Sequence, residues 1–312
     1  MTLEASTPER GAKSGRPPQK ERTAGKVRKN SQLREVWERL RKNKRALAAM
    51  TFIIVLFSVA VFADVIANYD LRVVQHNLPE RLEEPSAKHI FGTDVYGRDI
   101  FARIIHGTRV SILLGFGATG ISILIASLLG PTAAYFGGRF DNIVTRIIDM
   151  LMCIPSLLLA LAIAAGFGAG LLQLTIALSA GQIASFTRVI RSAALPVINQ
   201  EFIEAGKALG ARHAWIVVKY IIPNIIGIVL IQGTMNVSAN ILMGATLSFV
   251  GIGVQVPTPE WGSMLAEGLS YMVYKPYLVI FPGAFLMLTA LSINTFGDCL
   301  RDAFDPRLKG KA

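Results

Sequence analysis

The chain is predicted to be an all-α polytopic membrane protein, and three observations predict it. Of its 312 residues, 52% are hydrophobic and only 17% charged, against about 25% charged in an average soluble domain. The charges are also clustered. Stretches without Asp, Glu, Lys or Arg cover 46–63, 110–138, 150–187, 220–259 and 276–297, lengths of 18, 29, 38, 40 and 22 residues. A helix needs roughly 20 apolar residues to cross a bilayer, and in lipid its backbone amides must be satisfied within the segment. Third, Gly166-Phe167-Gly168-Ala169-Gly170 interrupts the 38-residue stretch and reads as a hairpin between two spans. Six transmembrane helices follow, near 46–66, 108–136, 141–165, 170–187, 223–251 and 276–297.

Charge asymmetry orients them. Residues 1–45 carry 14 Lys and Arg against 5 Glu, a net +9 of the chain's total of +11. This tail is expected to be disordered, with a helix from Gln32 to Lys42. Because it abuts a span, it reads as positive-inside anchoring at an anionic leaflet, with no nucleic acid as partner. Both termini are then cytoplasmic, and so are the turn at Gly138-Arg139 and the loop from Arg188 to Lys219. The segments 67–105 and 251–275 lie outside.

Several chemistries are excluded. There is no GxxxxGK[ST] phosphate loop, HExxH, GxSxG, HxH or CxxC, and the two cysteines, Cys153 and Cys299, lie far apart. His76, His89, His106 and His213 fit no metal spacing and read as solvated loop residues. No catalytic residue and no metal site are expected.

Polar residues within the spans are candidates for function. Arg146 and Asp149 stand three apart on one helical face and are expected to form an intramembrane ion pair, structural or part of a proton relay. Gln232, Asn236 and Asn240 recur every four residues, which sets them along one side of the fifth span. Such a stripe either lines a watery translocation path or bonds helices together.

The inner loop is the sharpest feature. Asn199 can cap a helix opened by Gln200 and Glu201. Phe202, Ala205 and Leu209 share one face, while Gly206 and Gly210 leave room for close approach. This helix suits docking into a partner's groove; the alternative is a helix lying on the membrane surface.

Glu204-Ala205-Gly206, three residues, Gly210, nine residues and Tyr220-Ile221-Ile222-Pro223 resemble the EAA loop of bacterial ABC importer permeases. Gly206, Tyr220 and Ile222 stand where that pattern has Ala, Ile and Leu. Two further segments resemble the outer loops of the second permease subunit of dipeptide, oligopeptide and nickel importers. One runs from Phe91-Gly92-Thr93-Asp94 through Gly97-Arg98-Asp99 to Gly107-Thr108-Arg109-Val110-Ser111, with Ile90 in place of the usual proline. The other joins Leu247-Ser248-Phe249-Val250-Gly251-Ile252-Gly253 to Pro257-Thr258-Pro259-Glu260-Trp261-Gly262. Gly297-Asp298, Leu300-Arg301-Asp302 and Asp305-Pro306-Arg307-Leu308 resemble that subunit's carboxyl end.

The resemblance implies a type I ABC importer permease fold. It divides the chain into a cytoplasmic tail (1–45), a first span with its outer segment (46–107), a transmembrane domain (108–298, coupling loop 188–222) and a second tail (299–312). ATPase coupling would fall to Phe202, Glu204, Ala205, Gly206, Leu209, Gly210 and Pro223, with Pro223 setting the entry to the fifth span. The implied partners are a second permease subunit forming a heterodimer, two ATP-binding subunits that use ATP and Mg²⁺, and an extracytoplasmic substrate-binding protein. This chain itself would bind no cofactor and perform no enzymatic step. The location would be the bacterial cytoplasmic (inner) membrane and the cargo a short peptide or peptide-like solute, with nickel or glutathione as alternatives in the family. An ion-coupled secondary transporter is the alternative from another class.

Overall fold

A computed structural model describes residues 32–304. The expectations for 1–31 and 305–312, including most of the basic tail and Asp305-Pro306-Arg307-Leu308, lie outside the described residues. Within them the chain is helical, and a single isolated bridge pairs Thr93 with Asp99.

Helix α1 (Gln32–Lys42) buries Val36 and Leu40 against Cys299, Leu300 and Ala303. Asn43 separates it from α2 (Lys44–Val61), accepting hydrogen bonds from the Arg45 and Ala46 amides as an N-cap. The outer segment follows, with a short α3 (Ala63–Ile66), a wide turn at Asp70–Val74 and a tight one at Leu78–Glu80. Asp99 then caps α4 (Ile100–Phe136) by accepting from the Ala102 amide at 3.0 Å. This helix begins eight residues before the expected 108, because Arg103 pairs with Asp94 and Glu267, and Arg109 pairs with Asp64. His106, buried at 2% exposure and not a solvated loop residue, is hydrogen-bonded to the Ala67 carbonyl at 2.8 Å.

The expected third span is bent. Helices α5 (Gly138–Met152) and α6 (Ser156–Phe167) meet at 88°. Pro155 causes the break, since proline donates no amide hydrogen and keeps the preceding Ile154 out of helical geometry. Helix α7 (Leu171–Ile198) continues past the expected end at 187. The inner loop holds α8 (Glu201–Ala208) and α9 (His213–Ile216), which runs through a wide turn at Val217–Ile221 into α10 (Ile222–Phe249). Helices α11 (Trp261–Leu269) and α12 (Tyr277–Phe304) complete the order.

Four helical segments among the described residues are long and apolar enough to cross a membrane: Lys44–Val61, Ile100–Phe136, His213–Phe249 and Tyr277–Phe304. The bent α5–α6 pair would be a fifth. By length and composition, four or five of the six expected spans are thus found among the described residues. Helix α7 is long enough but carries Gln173, Gln182, Arg188 and Arg191. Arg188 and Arg191 are answered by Asp149 and Asp141 of α5, and the rest of the helix packs closely on α4. A Cβ added at Gly130 of α4 would stand 2.9 Å from the Arg191 amide nitrogen, and Ser122 donates to the Ser179 carbonyl at 3.0 Å. Small residues permit such close backbone approach in membranes. Leu124, Ile280 and Leu291 point outward and are mostly exposed, as lipid-facing positions would be.

Candidate coupling surface and transport cavity

Helix α8 is fixed by one face and shows the other. Ile203 is fully buried with Ile216, Val217 and Ile221 at the foot of α10. Gly206 is buried too, and a Cβ there would lie 3.7 Å from the Tyr220 ring, an ordinary contact. On the open side Phe202 is 42% and Leu209 87% exposed, and Glu204 and Ala205 are exposed beside them. The expected Phe202–Ala205–Leu209 face is therefore an uncovered apolar surface tethered by Ile203.

Two expectations about this helix need correction. Asn199 ends α7, and Gln200, without a side-chain cap bond, stands at the N-cap of α8. Gly210 does not sit on the helix face with Gly206. It follows the helix end with φ +75°, and a Cβ there would meet nothing within 4 Å. The Gly210 amide bonds the Lys207 carbonyl and the Ala211 amide the Gly206 carbonyl, each at 3.0 Å. That is the reciprocal pair of a Schellman stop, for which glycine is favoured by its left-handed backbone. The glycine ends the helix and provides no clearance. Pro223 occupies the first turn of α10, where its missing amide costs least. Behind α8, the Tyr135 hydroxyl and His213 Nδ1 are hydrogen-bonded at 2.8 Å, and Lys207 Nζ lies 5.0 Å from the Tyr135 ring centre.

The Arg146–Asp149 pair does not form. Asp149 accepts from Arg188 of α7, Arg191 forks onto Asp141, and Arg146 is exposed. Spacing of three residues made Arg146 the nearest local partner, but α7 brings a guanidinium of its own, and two ion pairs join α5 to α7.

The polar stripe of α10 splits in two. Gln232 and Asn236 line an open cavity of about 500 Å³ together with Ile228, Ile231, Met235 and Arg301. Asn240 is fully buried and donates to Thr119 Oγ1 of α4 at 2.8 Å. The stripe serves as cavity wall nearer the start of α10 and as a helix–helix bond nearer its end.

The outer segment contains a site that sequence reasoning missed. Arg98 donates to Asp94 at 2.7 Å and to Glu267 at 2.8 Å. Arg103 donates to the same two carboxylates, each at 2.6 Å. Both arginine side chains are 1% exposed. Two cations thus balance two anions, which tie 94–103 to α11. The close spacing of Asp94, Arg98 and Arg103 was the available signal. Beside them Trp261 is fully buried and donates to the Ile104 carbonyl at 3.2 Å. Glu260 caps α11 through the Ser263 amide, and burial pushes its carboxyl above the usual range despite the neighbouring amides. Further out, Glu80, Glu83 and His89 stand close together. Glu80 and His89 are already engaged: His89 bonds Asp99 and Glu80 at 2.8 and 3.0 Å, and Lys88 also pairs with Glu80. Lys88 first, then His89, holds the Glu80 carboxyl below its ordinary value.

The family described as binding-protein-dependent transport system inner membrane component matches residues 118–310. The N-terminal TM domain of oligopeptide transport permease C matches 31–85. The dipeptide transport system permease protein DppC of Alkalihalophilus pseudofirmus is 38% identical over 276 residues, 88% of this chain and 90% of that protein. The glutathione transport system permease protein GsiD of Escherichia coli O6:K15:H31 is 39% identical over 276 residues, 88% of this chain and 91% of its own. Among solved structures, a chain of the inward-facing MetNI methionine ABC transporter superposes with a TM-score of 0.52 at 19% identity, over 64% of this chain and 96% of that one. That likeness concerns the fold. With the all-helical architecture and the EAA-like loop, the chain belongs to the inner-membrane components of binding-protein-dependent transport systems, the permease subunits of ABC importers.

Proposed function

We propose that this permease forms, with a second permease subunit, the translocation path of an importer for short peptides or peptide-like solutes. ABC importer permeases are multi-pass inner-membrane proteins that work with partner subunits, and ATP hydrolysis resides in those separate subunits. The finer assembly is our reading: a permease heterodimer, two ATP-binding subunits that use ATP and Mg²⁺, and an extracytoplasmic binding protein, with both termini of this chain cytoplasmic. This chain binds no cofactor in that scheme. The division at 45, 107 and 298 belongs to the same reading, as does the coupling role of Glu204 and its neighbours.

The observation that carries the proposal is the bare Phe202–Ala205–Leu209 face of α8, held from behind by fully buried Ile203. Apolar surface left open on a short helix is suited to a protein partner. Ile203 packs with Ile216 and Ile221 at the foot of α10, so a pull on α8 is delivered to the base of the helix that carries Gln232 and Asn236. Closure of an ATPase pair would thereby bias the helices between inward- and outward-facing arrangements. An ion-coupled mechanism finds less support, because Asp149 is engaged by Arg188.

The peptide cargo follows from relatives whose names state dipeptide and glutathione transport. The test is uptake into proteoliposomes holding the assembled importer, its binding protein and ATP. Saturable uptake of di- and tripeptides is expected. Uptake of Ni²⁺ alone, or peptide uptake driven by an ion gradient without ATP, would contradict the proposal.

A further inference from the structure

The cavity beside α10 has a cation in its wall. Arg301 comes from the last turn of α12 and faces the same space as Gln232 and Asn236. The helix register explains how it gets there. A Cβ at Gly297 would stand 3.1 Å from Met235 Cγ, and one at Gly227 would stand 2.9 Å from the Phe304 ring. The inner turns of α12 therefore run antiparallel against the inner half of α10, which brings Arg301 level with the cavity mouth. Among the described residues no carboxylate pairs with it.

We propose that this cavity is a carboxylate-receiving site at the inner end of the path, with Arg301 as its specificity-determining residue. The proposal deepens the peptide-importer reading and rests on it. A guanidinium presents a planar fork of donors that matches a carboxylate, and it keeps its charge at every relevant pH. Gln232 and Asn236 each offer an amide donor and acceptor suited to peptide groups. Ile228, Ile231 and Met235 supply the apolar remainder, with methionine adapting to varied side chains. A few convergent polar groups on an apolar lining is the usual make-up of a small-molecule site. The lining contains no Asp, Glu, His or Cys. A fixed positive charge in this lining favours a solute with a free carboxylate.

The competing arrangement is an Arg301 side chain that reaches the inner leaflet and leaves the cavity neutral. A charge-sensing experiment separates the two. Asn236→Cys is placed in the assembled importer in a background with Cys153→Ser and Cys299→Ser. Its modification in inside-out vesicles is timed with an anionic (sulfonatoethyl) and a cationic (trimethylammonioethyl) methanethiosulfonate. With Arg301 present the anionic reagent should be favoured, and Arg301→Gln should lower the anion-to-cation rate ratio by about tenfold. Arg301→Lys should keep most of the ratio. A ratio unchanged by Arg301→Gln would overturn the site. A parallel uptake assay uses tri-alanine: Arg301→Gln should slow its transport and Arg301→Lys should partly restore it. Equal tri-alanine uptake by wild type and Arg301→Gln would also overturn the site. Absence of any tripeptide uptake by wild type would instead remove the peptide reading, while the labelling ratio still judges whether the cavity is cationic.

Discussion

Arg103 and Glu267 meet in a two-point ion pair, Nη1 to Oε2 at 2.6 Å and Nη2 to Oε1 at 3.2 Å, across 164 residues of sequence. With Arg98 and Asp94 they clamp the outer segment onto α11. The arginines are buried, so each carboxylate is needed to offset their desolvation.

Breaking this pair from one side should therefore cost more than removing it whole. Glu267→Gln leaves two buried guanidinium groups facing Asp94 alone and should destabilise the protein by about 3 kcal/mol. Arg103→Met combined with Glu267→Gln leaves Arg98 and Asp94 as a neutral pair, so the double variant should lose less than the Arg103→Met and Glu267→Gln losses summed. Thermal unfolding of the detergent-purified complex measures both. Strict additivity would mean that the residues do not act as a unit.

Glu260 gives the outer region a pH dependence of known sign. Burial raises its carboxyl above the ordinary 4.5, so between that value and its raised one the folded protein holds more protons than the unfolded. Stability contributed at this site is then greatest at low pH and declines as pH climbs through that window. Glu260→Gln keeps an oxygen for the Ser263 amide and removes the titration. Its melting temperature should change less with pH than wild type above ~4.5, and parallel wild-type and variant profiles would count against this assignment.

Gly210 is required for its backbone. Gly210→Ala introduces no contact within 4 Å yet forces φ +75° on a residue with a Cβ, a cost of about 1 kcal/mol. Gly210→Asn, which tolerates that conformation, should be milder. Hydrogen exchange at the end of α8 reports the fraying, and ATP-driven uptake should fall in the same order. A larger effect from Asn than from Ala would point to a role other than ending the helix.

The two ends of the α10 stripe should respond differently. Asn240→Ala removes the bond to Thr119 and should lower complex stability by about 1 kcal/mol, with transport per surviving complex unchanged. Asn236→Leu lies at the cavity and should slow uptake while the complex still assembles. Yield, melting and uptake measured together distinguish them, and the reverse pattern would exchange their roles.

Much of this was legible because charge-free runs mark lipid-facing helices. The runs at 46–63, 220–259 and 276–297 sit within or across α2, α10 and α12. The start of α4 was hidden, since Arg103 and Arg109 resemble loop residues until Glu267, Asp94 and Asp64 are seen to receive them. Pro155 was visible in the third span, yet an unbroken apolar count overlooks a bend. Asp149 was matched to Arg146 by spacing, whereas tertiary packing supplied Arg188. At α8 the exposed face and the special glycine were both readable, but the reason for the glycine lies in a dihedral angle, which spacing does not encode. The Arg301 cavity needs two helices in register and could not be read from either alone.

The central claim is that the open face of α8 meets a separate ATPase subunit, and co-purification tests it most directly. Phe202→Asp with Leu209→Asp places two carboxylates on that face without touching Ile203 or any span. The account predicts normal membrane insertion, at least about tenfold less ATPase subunit recovered with the tagged permease, and loss of uptake. Full recovery of the ATPase subunits with unimpaired uptake would contradict it.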